Sequence, residues 1–234
     1  MSIGRIDINE KDLGKICTAI IQLQERQDPI TDFITTLLND PDAATARATL
    51  GIVAAAANGW EFLSTQTVAA ASTIDITANL TSTYDHYVLV MSLTFSSSAA
   101  ALLFRISQDA GATFKLGATD YKYVNSVFLD DSTQTILGSG AGATSIALTG
   151  AALSNNAGTA LVGRLFISNL ASTAVIKDTN WDLGGYLLST VNKYARFIGS
   201  GAYISDAVAI NALRLLPSAG TVTGTVVLFG IRKT

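Results

Sequence analysis

Cysteine is almost absent, with Cys17 the only one among 234 residues. One thiol excludes an intrachain disulfide, so packing alone must hold the fold and nothing signals an oxidising compartment. Histidine is as scarce, His86 being the single imidazole. Catalysis of the Ser-His-Asp or Cys-His kind needs an imidazole beside its nucleophile, and one His with one Cys cannot close a zinc shell. His86 stands in TYDHYVLV at the start of a strand and is read as a strand residue near the surface. Cys17 lies next to a seam position of a helix, where a buried, inert thiol is expected. No Asp-rich loop has calcium-ligand spacing, and no cofactor is expected.

Charge is also sparse, at 14% of residues against 49% hydrophobic. That balance is below the charge and at the apolar edge of a soluble domain, and it suggests buried surface beyond that of a monomer. Residues 1–59 carry eight acidic and five basic side chains, and residues 60–234 carry ten of each. Without a Lys/Arg cluster there is no footprint for a phosphate backbone, so nucleic acid is not an expected partner. Long apolar runs are missing too: the longest charge-free stretch, Ser132 to Gly163, is broken by Gly, Ser, Thr and Asn, which argues against membrane insertion. The opening MSIGRIDINEKDLGK carries charges throughout, unlike a signal peptide, and synthesis in the cytoplasm is expected.

Aromatics divide what is present. Of eighteen Phe, Tyr and Trp residues, only Phe33 precedes Trp60. The division predicts a helical stalk over residues 1–58, for anchoring and oligomerisation, and a β-sandwich head over 59–234. In the stalk, Leu13, Ile16, Ile20, Leu23, Ile30, Ile34 and Leu37 recur at spacings of three and four, with Gln27 at the missing seam position. This is a heptad register, and isoleucine at both kinds of core position favours trimers or larger. Asp28-Pro29 and Asp40-Pro41 each suit an N-cap followed by a first-turn proline, so three short helices are expected, the last ending at Gly51.

Beyond Trp60 the period becomes two. Tyr87, Leu89, Met91, Leu93 and Phe95 share one strand face, as do Leu102, Phe104 and Ile106. Further runs at Ser126–Leu129, Ser145–Leu148, Leu161–Ser168, Ala174–Lys177, Ala207–Leu216 and Val222–Ile231 predict about nine or ten strands in an antiparallel sandwich or barrel. Asp109 and Gly111 suit a hairpin loop. The GSGAGATS stretch from Gly138 to Ser145 lacks the Lys-Ser/Thr ending and the following helix of a phosphate cradle. A glycosidase would need two carboxylates on facing strands, for which Asp75, Asp85, Asp120, Asp178, Asp182 and Asp206 are the available groups, but such a pair has no local signature. Asp130 and Asp131, being adjacent, are read as a turn. Trp60 beside Phe62 is read as packing at the junction. Trp181, with Asn180, Asp182 and Tyr186 nearby, has two readings: a ligand-facing loop in which Trp181 and Tyr186 touch ligand, or core and inter-subunit packing, the favoured one.

The string LLNDPDAATARATLGI, Leu37 to Ile52, with Ala46, Arg47, Leu50 and Gly51, resembles a segment of tail-fibre and related appendage proteins of tailed bacteriophages. The head resembles jelly-roll-type domains of phage structural proteins through Tyr84 and Tyr87, Arg105 with Ser107, the stretch Asp109 to Phe114, and GTVVLFGI from Gly224 to Ile231. The resemblance implies a non-enzymatic virion protein: a homotrimeric fibre, spike or capsid decoration (head fibre). Its N-terminus would bind other virion proteins, and its jelly-roll head would project towards a host surface glycan or protein. A carbohydrate-binding receptor module is the alternative, and a glycan hydrolase a third.

Overall fold

The computed structural model describes residues 59–98, 100–138, 142–150, 153–187 and 193–232, together with 13–18 and the single positions 22, 36, 39, 45, 46 and 50. The chain divides into two compact units, Met1–Ala56 and Ala57–Thr234. In the first, residues 13–18 form a helical turn and a half whose side chains are all exposed. Cys17, expected to be buried, is exposed there, because no described residue covers that turn. Of the expected seam, Ile20, Leu23, Gln27, Ile30, Ile34 and Leu37 lie outside the described residues.

The second unit is mainly β, two antiparallel sheets in a sandwich. Its strands are β1 (Trp60–Ala71), β2 (Ile74–Ile76), β3 (Tyr84–Phe95), β4 (Leu102–Ser107), β5 (Tyr121–Leu129), β6 (Gln134–Gly138), β7 (Ile146–Ala147), β8 (Leu161–Ser168), β9 (Lys177–Leu187), β10 (Lys193–Tyr203), β11 (Ala212–Pro217) and β12 (Val222–Arg232). One sheet has eight strands in the order β1-β12-β3-β8-β9-β10-β5-β6, and the other four in the order β2-β11-β4-β7. The first four strands therefore alternate between the sheets, as do the last two.

Side-chain alternation explains this layering. Leu89, Leu93, Leu165, Leu183 and Phe197 from the large sheet meet Leu102, Phe104, Ile106, Leu213 and Leu215 from the small one in a single core, all buried. Each such side chain contributes about 1.5–3 kcal/mol relative to exposure. The hydroxyls of Tyr87 and Tyr121 are tied, while Trp181 Nε1 and Asn125 Oδ1 are buried with no partner among the described residues. Tyr87 Oη donates to Thr81 O at 2.7 Å and accepts from Thr81 N at 2.6 Å. Tyr121 Oη donates to Lys115 O at 3.1 Å and accepts from Ile106 N at 3.0 Å.

Two sequence expectations are corrected. Residues 173–175, overlapping the run expected as the strand Ala174–Lys177, form a bend, and the strand starts only at Lys177. The Lys177 amine, on a side chain buried in the fold, draws Ser172 O, Val175 O and Ala207 O to 2.6, 2.9 and 2.8 Å, and this fixes the chain as a loop. The turn at Asp109 and Gly111 does form, with Lys115 N bonded to Ile106 O at 2.9 Å. It is not a hairpin between paired strands, since β4 before it belongs to the small sheet and β5 after it to the large one. Its geometry comes from Asp109, which accepts from Ser107 Oγ, Thr113 N and Thr113 Oγ1.

Candidate functional site

The outer face of the eight-stranded sheet carries the candidate site. Register sets its rows. Trp60, Ile231, His86, Ser168, Asp178, Ala202 and Lys122 follow one another across neighbouring strands from β1 to β5. The next outward row runs from Phe62 through Phe229, Val88, Phe166, Asn180 and Ser200 to Val124.

The β1–β8 half of this face is apolar and aromatic. The Trp60 and Phe62 rings lie 5.8 and 6.1 Å from that of Phe229. Val88 points outward between Phe229 and Phe166 yet is fully covered. Trp60, Phe62, Val90 and Val162 remain 49%, 61%, 37% and 44% exposed. Large apolar side chains left in water over several neighbouring strands mark an interaction surface.

The β8–β5 half is a polar trough of about 660 Å³ whose lining includes His86, Lys122, Ser168, Asp178, Asn180 and Ser200. It exists because over this stretch β10 presents the small side chains of Ser200 and Ala202 outward, while its neighbours present Asp178 and Asn180 on one side and Lys122 and Val124 on the other. At one end the His86 ring lies 5.3 Å from Phe166, and His86 Nδ1 is 3.2 Å from Ser168 Oγ.

Several candidate carboxylates are engaged one by one. Asp75 takes both forks of Arg214 at 2.6 Å, and Asp182 those of Arg196 at 2.9 and 2.8 Å. Arg196 holds Asp182 below the usual carboxylate range. Burial alone would raise Asp206, but bonds from Val208 N, Gln108 and Tyr203 more than offset it and hold that carboxyl down as well. A general acid needs the opposite shift. Asp120 accepts from Ser205 Oγ at 2.6 Å and Gly117 N at 2.7 Å. Asp130 and Asp131 form the turn after β5, where Asp131 binds Lys193. Among the described residues no three His, Cys, Asp or Glu side chains stand close enough to hold a metal ion.

Of the proposed oligomerisation residues, Leu13 and Ile16 are helical and 49% and 45% exposed. Trp181 lies in the middle of strand β9 and is 2% exposed, so it is not in a ligand-facing loop. Alternation puts it inward with Lys177, Thr179 and Leu183, over Gly199 of β10. A ring so covered offers no face for stacking. Tyr186 points outward on the same strand, edge-on to Tyr194 at 5.4 Å, two rows beyond Asp182 and apart from the trough. The structure thus does not bring Trp181 and Tyr186 together, and the trough residues Lys122, Asp178, Asn180 and Ser200 had not been singled out as a group. The local signal for them is the pair of small residues Ser200 and Ala202 in GSGAY, which alternate outward while Gly199 and Gly201 face the core.

No protein-family model, no curated protein and no solved structure matches the chain. The reading of function therefore rests on its own residues and geometry.

Proposed function

We propose that the chain is a non-enzymatic structural subunit of a tailed-phage particle: a homotrimeric fibre, spike or head decoration with an N-terminal helical anchor and a projecting jelly-roll head. The observation that carries it is the strand order. In the sheets β1-β12-β3-β8 and β2-β11-β4-β7, the strands can be renamed B to I in chain order as β1, β2, β3, β4, β7, β8, β11 and β12. The sheets then read B-I-D-G and C-H-E-F, the double Greek-key arrangement found in viral capsid and lectin domains. Strands β5, β6, β9 and β10 are insertions that widen the first sheet beyond β8.

Two further features support the reading. The apolar half of the outer face, around Trp60, Phe62 and Phe229, suits packing against sister heads. The segment from Leu37 to Ile52 resembles phage appendage proteins, and the seam from Leu13 to Leu37 supplies three-stranded association. The test is peptide mass spectrometry of particles purified from the producing host, with immunogold labelling against the head. Peptides of this chain in stoichiometric amounts, and labels on an appendage, are expected. Their absence from particles while the protein is abundant in the lysate would overturn the proposal.

A further inference from the structure

We infer that the trough over β10 is a binding site for a short neutral oligosaccharide. The inference stands on the sheet's geometry and would hold whether or not the chain is mounted on a particle. The floor is Ser200 and Ala202, and the walls stand one strand away on each side. Two interstrand spacings place those walls about 10 Å apart, the width of a pyranose ring with its hydroxyls. The volume of about 660 Å³ is that of a small-ligand site.

The chemistry of the walls selects the ligand. Among the described residues, the side chains of Lys122, Asp178, Asn180 and Ser200 make no hydrogen bond or ion pair with one another or with any other residue. That contrasts with Asp75, Asp109, Asp120, Asp131, Asp182 and Asp206, each of which is held by a partner. A carboxylate that only accepts, an ammonium that only donates, and an amide and a hydroxyl that do both match vicinal sugar hydroxyls, which donate and accept. The two charges stand on opposite walls, Asp178 on β9 and Lys122 on β5. An anionic ligand would meet Asp178 and a cationic one Lys122, whereas a neutral polyol satisfies both. The His86 ring, which lines the end towards β8 and is backed by Phe166, offers a face for the C–H side of a sugar ring.

The probe is a panel of neutral trisaccharides built from glucose, galactose or N-acetylglucosamine, with sialylated and sulfated counterparts, titrated calorimetrically into the full chain. At least one neutral member should bind. Asp178→Ala should weaken it at least about tenfold through lost hydrogen bonds, and Ser200→Phe should abolish it by filling the floor. Tyr186→Ala, away from the trough, should leave affinity unchanged. Both trough positions are exposed on the outer face, and unchanged near-ultraviolet circular dichroism would certify that the variants fold. No binding of any neutral trisaccharide at about 10 mM, well beyond the millimolar affinity of a weak site, would overturn the inference. So would a preference for the charged sugars, or binding that survives both trough variants.

Discussion

Gly199 should be the position in β10 least able to accept a side chain. Its register partners are Trp181 on β9 and Asn125 on β5. A Cβ built there would stand 2.5 Å from Trp181 Cε2 and 2.5 Å from Val124 O. The backbone oxygen belongs to the ladder and cannot move freely, and the indole is 2% exposed within a close-packed core. Gly199→Ala therefore forces the Trp181 ring off its rotamer or the strands apart, which costs about 1–3 kcal/mol as overpacking. Alanine recovers somewhat under 1 kcal/mol through the glycine entropy it removes from the unfolded chain. The net is a loss of about 1–2 kcal/mol, read as a fall in Tm of about 2–8 °C for a head of this size. The discriminating assay is a double-mutant cycle followed by thermal circular dichroism. Trp181→Phe is destabilising alone, but it opens room for the methyl group, so Gly199→Ala should cost less in its presence and the pair should couple by at least about 0.5 kcal/mol. A Gly199→Ala protein as stable as the parent, or two effects that simply add, would refute this packing account of Trp181.

Two other outcomes follow from the described contacts. Lys177→Met keeps the length of the side chain but strips Ser172 O, Val175 O and Ala207 O of their shared donor. Burial, which pushes the Lys177 amine below its usual range, offsets part of the gain from these bonds. A net loss of about 2–4 kcal/mol is expected in urea unfolding, and a change under 1 kcal/mol would contradict it. Asp109 is held at about 2 by hydrogen bonds from Ser107 and from the side chain and backbone of Thr113. A depressed carboxylate contributes stability that is present above its unfolded value of about 3.9 and lost as pH falls through about 2. Asp109→Asn should therefore flatten the acid limb of the stability curve between about pH 4 and 2, and an unchanged slope would exclude Asp109 as a contributor.

The elements that alternate cleanly were legible from residue order. Strands β3, β4, β8 and β12 were found within a few residues of their ends because each sets apolar side chains against the core on every second position. Strand β1 was hidden by register shifts between Phe62 and Ser64 and between Val68 and Ala71, which break the period of two. The middle of β10 is glycine-rich, β6 is largely exposed, and β2 has only three residues, so none carried an apolar pattern long enough to read. For Trp181 residue order allows both a ligand-facing loop and core or inter-subunit packing, with packing favoured, and the inward alternation of Lys177, Thr179, Trp181 and Leu183 puts the ring in the core. The trough could not be read as a group. Its residues come from β3, β8, β9, β10 and β5 and meet only through cross-strand register, which residue order does not encode locally.

The claim that most needs a direct test is the division of labour between an N-terminal segment that assembles the protein and a β head that does not depend on it to fold. The decisive measurement is the solution mass of the full chain by light scattering, compared with a variant carrying Ile16→Asp and Ile20→Asp. Charges placed in an apolar seam without partners are strongly unfavourable. The account predicts three copies for the parent and a single copy for the variant, both with the same β circular dichroism. A parent that is already monomeric, or a variant that stays trimeric, would contradict it.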